Sequence, residues 1–192
     1  MLSITTLAAS ALAFFGGYTL PDNVTDVTWN LPIYPADKGS AAVSFTGTIE
    51  QAVAKMEADY PGWKASLLAQ SAAPFGVKAE TPYHLDFNKA NCTNPGHFTA
   101  STLAIKKGIS YLSALDGIAK NGPGPRNCGR VSCSDSSGIW WCNDVWRGAR
   151  TRCADKFAVD RGSVYDRGDD TVVGEVESTG GKWSVIVRVA DC

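Results

Sequence analysis

The chain has 192 residues, 18 Lys and Arg against 19 Asp and Glu, and a formal net charge of −1. A balance this even argues against a strongly basic nucleic-acid binder and against adhesion to an anionic membrane. The charge is nonetheless split: residues 1–90 carry five Lys, no Arg and eight acids, whereas residues 91–192 carry 13 Lys and Arg, including all eight arginines, against 11 acids.

The first fifteen residues, Met1 to Phe15, have no charged side chain and are mostly apolar or small. Ala11-Leu12-Ala13 offers an A-x-A cleavage pattern, and the chain turns polar after Leu20-Pro21. No Lys or Arg precedes the apolar run, so the amino terminus alone supplies positive charge. The run is shorter than the roughly 20 residues that span a bilayer. Residues 1–20 therefore read as a signal peptide, and the protein as secreted, without a stable membrane anchor. Two N-glycosylation sequons fit an exported chain, Asn23-Val24-Thr25 and Asn91-Cys92-Thr93. Asn23 is the better acceptor of the two, because a disulfide at Cys92 would compete with sugar transfer to Asn91.

Residues 21–82 contain no cysteine. Val24 to Leu31 alternates loosely around Val27 and Trp29 and reads as a strand. A helix starts after Thr48, where Thr48 and Gln51 form a capping box with Glu50 in the first turn. Ile49, Ala52, Val53, Met56 and Tyr60 lie on one face of it, and Pro61-Gly62 ends it. A shorter helix covers Trp63 to Ser71, and Ser71 to Pro82 is a linker. Two readings stand for this segment: a permanent subdomain packed on the cysteine-bearing half of the chain, or a pro-segment that assists folding and is later cut. The absence of a dibasic site before Cys92 counts against the second.

Residues 83–192 form a cysteine-rich module. Tyr83 to Phe87 alternates as a strand, and Thr99 to Leu115 reads as a helix with Ile105, Ile109 and Leu112 on one face. Asn121 to Pro125 is a loop. Cys128 to Asp144 places two β-prone runs around a Ser/Asp/Gly turn, a hairpin signal. Asp144 can cap a following helix whose apolar positions are Trp146, Ala149, Cys153 and Phe157, with Arg147, Arg150, Arg152 and Lys156 forming a cationic surface. Thr171 to Glu177 and Lys182 to Ala190 flank a second turn, and Trp183, Val185, Val187 and Val189 alternate on one face. The order β-α-β-β-α-β-β predicts an α+β fold, a disulfide-stapled sandwich with an antiparallel sheet and two helices on one face. The module is expected to fold by itself.

All six cysteines, Cys92, Cys128, Cys133, Cys142, Cys153 and Cys192, lie in this module. An even count behind a secretion signal points to three disulfides. There is no CxxC pair and there are only two histidines, His84 and His97, which weighs against zinc. Every pairing that six cysteines allow stays open. The short loop favours Cys133–Cys142, while hairpin register disfavours it if the two are set diagonally. A bridge at Cys192 would pin a C-terminus that otherwise frays.

Several stretches, Gly108-Ile109-Ser110-Tyr111-Leu112, Gly122-Pro123-Gly124-Pro125, Cys128 to Cys133, Ile139 to Asp144 and Lys182 to Arg188, resemble a family of small secreted fungal proteins discussed as candidate effectors. The likeness covers about residues 83–192, and Gly47 to Gln51 is similar to that family's N-terminal segment. In plan such proteins are similar to the killer-toxin and necrosis-inducing-factor α/β sandwiches. The resemblance implies no catalytic residue set. The chain departs from the family's usual Tyr-Asn after Cys133-Ser134, having Asp135-Ser136 there.

Chemistry is sparse. There is no Gly-x-Ser-x-Gly elbow, and the two histidines lie near the module's entry. Paired carboxylates for glycosidase work could come from Asp135 with Asp144, or from Asp169 with Asp170. Trp140 and Trp141 are adjacent on a strand and must face opposite sides of its sheet. Either both are buried, or one is exposed beside arginines and suits carbohydrate or protein contact. The candidate binding residues are thus Trp140, Trp141, Arg130, Arg147 and Arg150. Arg167-Gly168-Asp169 is an RGD tripeptide in a loop. The expectation is a monomeric, non-enzymatic effector or toxin-like protein that needs no metal or cofactor. It would engage a host or microbial protein or cell-wall glycan, but not nucleic acid. A lectin-like module is the runner-up and a small hydrolase the third reading.

Overall fold

The computed structural model describes residues 23–37, 39–71, 99–115, 118–144, 149–152, 170–180 and 182–192. The expected leader, the linker beyond Ser71, the strand at Tyr83–Phe87, His84, Asn91, Cys92, His97, Arg147, Cys153 and the RGD tripeptide lie outside the described residues.

In chain order the elements are β1 (Asn23–Thr25), β2 (Thr28–Pro32), β3 (Ala42–Thr46), α1 (Ile49–Asp59), α2 (Trp63–Ser71) and β4 (Ala100–Ser101). They continue with α3 (Thr102–Ala114), β5 (Ile118–Asn121), β6 (Asn127–Ser134), β7 (Ser137–Asn143) and β8 (Ala149–Arg152). Last come β9 (Thr171–Val172), β10 (Gly174–Glu177) and β11 (Trp183–Val189). The larger sheet has five strands in the order β1-β6-β7-β11-β10, a second has the order β3-β2-β5-β8, and β4 pairs with β9. Among the described strands only β1–β6 is parallel, and the other pairs are antiparallel. Helices α1 and α3 pack on one face of the larger sheet, and α2 packs on α3. The fold is α+β and disulfide-stapled.

The helices follow their sequence signals. In α1 the Thr48 amide donates to Gln51 Oε1 at 3.0 Å, as a capping box requires. Ile49, Ala52, Val53 and Met56 are buried on its inner side. Beyond the Pro61-Gly62 break, the Glu57 carboxylate accepts the Gly62 and Lys64 amides at 2.9 and 2.7 Å, so α1 caps the start of α2. Ser101 caps α3, its hydroxyl accepting the Ala104 amide at 3.4 Å. Ile105 and Leu112 are buried, as the stripe implies, with Ile109 packed beside them.

Both hairpins form. Asp135 and Ser136, at φ 48° and 52°, make the two-residue turn between β6 and β7; positive φ at both positions matches the twist of the paired strands. A bulge between Arg130 and Ser132 shifts the register, so Val131 and Ser132 both fall on the helix-facing side. At the second turn, the Ser178 hydroxyl accepts the Lys182 and Trp183 amides at 3.1 and 3.3 Å. The alternation of the closing strand holds: Trp183, Val185 and Val187 are buried.

Two expectations are corrected. The helix after Asp144 is not found where described residues cover it: Ala149–Arg152 is strand β8, paired with β5 from Ile118↔Arg152 to Asn121↔Ala149. Helical spacing of a few apolar residues does not outweigh an open strand edge that satisfies a whole row of backbone groups. The Asp144 amide donates to Lys182 O at 3.0 Å and prolongs the β7–β11 pairing; its expected role as a cap falls on residues 145–148, outside the described residues. Cys133 does not pair with Cys142. The bridges are Cys128–Cys142 and Cys133–Cys192, because the register sets Cys128 opposite Cys142 and Cys133 opposite Gly138.

The sheets also ignore the boundary expected near residue 82. β1 is an edge strand of the larger sheet, and β2 is the central partner of β5. Trp29, Leu31, Ile49 and Met56 share one core with Leu112, Trp141 and Val185. The Trp29 indole N–H donates to Gly47 O at 2.8 Å, and that of Trp63 to Pro32 O at 2.9 Å. Gly129 of β6 lies against Val27, so close that a Cβ there would collide with the Val27 methyl.

Candidate functional site

The larger sheet has one face under helices and one face without a helix among the described residues. Period-two alternation and the registers define the second, outer face. One row across it is Cys128, Cys142, Ser184 and Glu177; the next is Arg130, Trp140, Ile186 and Glu175; the third is Cys133, Gly138 and Arg188. Both described disulfides lie on this face.

At one end stands a carboxyl cluster. Glu175 and Glu177 project from β10, Asp144 follows β7, and Ser184 and Arg126 stand among them. Burial pushes the Asp144 carboxyl above its ordinary value and the Glu177 charge adds to that, partly offset by Arg126 and the Ser184 hydroxyl. Burial likewise raises Glu175, opposed first by Arg126 and reinforced by Asp144 and Glu177. Such a cluster keeps a proton to higher pH than free carboxyls do, and offers it beside a hydroxyl and a guanidinium.

At the other end the C-terminal residues close over the sheet. The Ala190 amide donates to Ser136 O at 3.0 Å, and Arg130 Nη1 donates to Asp191 O at 2.5 Å. Cys192 is bonded to Cys133. Beneath this tail lies Trp140, packed with Cys128, Cys133, Cys142 and Ala190. Its ring runs over Gly138, where a Cβ would come within 2.6 Å of the indole and 2.9 Å of Ala190. Arg188 is half-buried beside them, and desolvation lowers its pKa.

The candidate residues thus part company. Trp140 and Trp141 do face opposite sides, but both are buried, at 4 % and 0 % exposure. Trp141 belongs to the main core and Trp140 to the outer cluster, so neither is an exposed binding platform. Arg130 holds the tail. Arg150 sits on a strand, not on a cationic helix face. Asn23 is in β1, and the sequon's Thr25 hydroxyl donates to Asn127 Oδ1 at 2.7 Å. Asp135 and Asp144 are at opposite ends of β7 and do not pair. Asp170 receives the Thr102 amide on its backbone oxygen.

The Asp144–Glu175–Glu177 grouping was missed in sequence, although Glu-Val-Glu in a hairpin strand sets both glutamates on one face. Also missed was a buried amide network: Asn121 Nδ2 donates to Trp141 O at 2.7 Å and Asn127 O at 3.2 Å, while Asn143 Nδ2 donates to Gly122 O at 2.8 Å. Among the described residues no group of three or more His, Cys, Asp or Glu is placed to hold a metal ion, and no helix is long and apolar enough to cross a membrane. No family model, curated protein or solved structure matches this chain.

Proposed function

We propose that this chain is a secreted, cysteine-rich effector or toxin-like protein, which acts on a host or a competing microbe by binding and not by catalysis. The observation that carries the reading is the placing of two disulfides, Cys128–Cys142 and Cys133–Cys192, on one face of a small α+β sandwich. Staples of this kind suit an oxidising, exported setting, where a modest core must survive without chaperones. The apolar leader and the resemblance to small secreted fungal proteins support the same reading. The arginine and tryptophan pattern does not support the lectin-like alternative, because Trp140 and Trp141 are buried and Arg130 is occupied by Asp191.

The test is to delete the gene in its producer and to apply purified, oxidised protein to candidate host tissue and competing microbes. Altered virulence, growth inhibition or cell death is the expected result. No change in any of them overturns the reading. One observation favours the hydrolase reading as a second: the raised carboxyls of Asp144 and Glu175 beside Ser184. Hydrolysis of a glycan or ester panel by the native protein, abolished in Asp144→Asn, would move it to first place.

A further inference from the structure

The two described disulfides share a face but not an environment. Cys128 and Cys142 are 1 % and 3 % exposed and bridge the β6–β7 hairpin near its open end, beside the Asn127↔Asn143 pair. Cys133 is 8 % exposed, whereas its partner Cys192 is exposed. Thiol–disulfide exchange requires a thiolate to approach one sulfur, so access governs which bridge is attacked. Of these four cysteines, only Cys192 offers that access.

What the outer bridge holds is also specific. The tail from Ala190 is fixed by three ties: the Ala190–Ser136 backbone bond, the Arg130–Asp191 bond and the disulfide. The disulfide alone is covalent. Ala190 and Cys133 form one side of the packing around Trp140, Cys133 being the residue to which Cys192 is bonded, and the indole lies over Gly138, which has no side chain of its own to shield it. Without the disulfide, the segment keeps only the two hydrogen bonds among these ties.

We propose that Cys133–Cys192 is a redox-labile clasp, a modification site for a dithiol reductant, and that opening it uncovers Trp140 while the Cys128–Cys142 hairpin stays oxidised. The reductant's thiolate attacks Cys192 Sγ and forms a mixed disulfide. The Cys133–Cys192 bond breaks, its electron pair goes to Cys133 Sγ, and that thiolate takes a proton. The reductant's second thiol closes on its first sulfur and releases Cys192 as a thiol. Two electrons and two protons reach the protein, and the dithiol leaves as a cyclic disulfide. The outer face then differs between oxidising and reducing surroundings, whatever target the protein engages.

The experiment titrates the full-length secreted protein with dithiothreitol, traps thiols by alkylation and locates them by peptide mass spectrometry, following tryptophan emission and iodide quenching in parallel. Cys133 and Cys192 are expected to be alkylated together, about tenfold or more faster than Cys128 and Cys142. Quenching should rise in step with them. In Trp140→Phe the rise should vanish, and in the Cys133→Ser, Cys192→Ser double variant it should be present before any reductant is added. Alkylation of Cys128 and Cys142 at the same rate or earlier overturns the proposal, as does a selectively reduced protein whose quenching is unchanged. The alkylation order is read on the native protein, so the test stands even if a variant fails to fold.

Discussion

The Glu50 carboxylate accepts the backbone amide of Cys133 at 2.8 Å across 83 positions of sequence. Its other oxygen accepts the Ser132 hydroxyl at 2.5 Å. β1 pairs with β6 only as far as Gly129, and beyond it the first turn of α1 supplies an acceptor for the Cys133 amide. One acid thereby joins the N-terminal helix to the strand that carries the outer disulfide. Glu50→Ala should cost about 1–3 kcal/mol, the penalty for a buried donor left unsatisfied. Glu50→Gln should recover part of it, since its amide oxygen can still accept. Urea midpoints of the three proteins decide this.

Removal of residues 1–82 takes away β1, β2, β3, α1 and α2. β5 loses its partner β2, and the core loses Trp29, Leu31, Ile49 and Met56. An oxidised 83–192 fragment should therefore show no cooperative melt, whereas residues 21–192 should melt cooperatively. A sharp transition in the short form would mean that the N-terminal segment is dispensable after all.

Gly129 passes under Val27 with no space for a methyl group. Gly129→Ala should destabilise by roughly 1–3 kcal/mol through overpacking. Adding Val27→Ala should return part of that loss, because the shorter side chain vacates the collision site. A double-mutant cycle measured by chemical denaturation reads the coupling directly; strictly additive effects would contradict the close approach.

Asp144 and Glu175 hold protons more tightly when folded than an ordinary carboxyl does. The folded state then binds more protons than the unfolded one between the ordinary and the raised value, so stability falls as pH rises through that window. The loss begins in the ordinary carboxylate range and is complete once pH exceeds the raised values. Asp144→Asn with Glu175→Gln should flatten this slope and stabilise the protein at neutral pH. Denaturant midpoints between about pH 4 and pH 7 test it; an unchanged slope would show that the cluster is not desolvated.

Non-reducing digestion should yield the Cys128–Cys142 and Cys133–Cys192 linkages. A six-cysteine framework without free thiols then leaves Cys92 to pair with Cys153. Recovery of a Cys133–Cys142 peptide would overturn the hairpin register.

Local signals were legible wherever the information was local. The Thr48–Gln51 capping box, the Pro61-Gly62 break, the polar Asp135-Ser136 turn and the alternation of Trp183, Val185 and Val187 each rest on neighbours within a few residues, and each is realised. The even cysteine count behind an apolar N-terminal stretch likewise pointed to disulfides without naming the partners. What depended on distant partners was not legible. Ala149–Arg152 became a strand because β5 offered an edge, a fact held by residues Ile118–Asn121, far back in the chain. Cys133 found Cys192, separated by 59 residues, because the hairpin register had already given Cys142 to Cys128. Trp140 is buried because the tail folds back over Gly138, and the three carboxyls meet because β10 lies beside β11 at the register Glu177↔Ser184. Periodicity determines which side of an element is apolar, since it follows from backbone geometry alone. Which surface covers that side is decided by tertiary packing, where the burial of many side chains outweighs any one segment's preference.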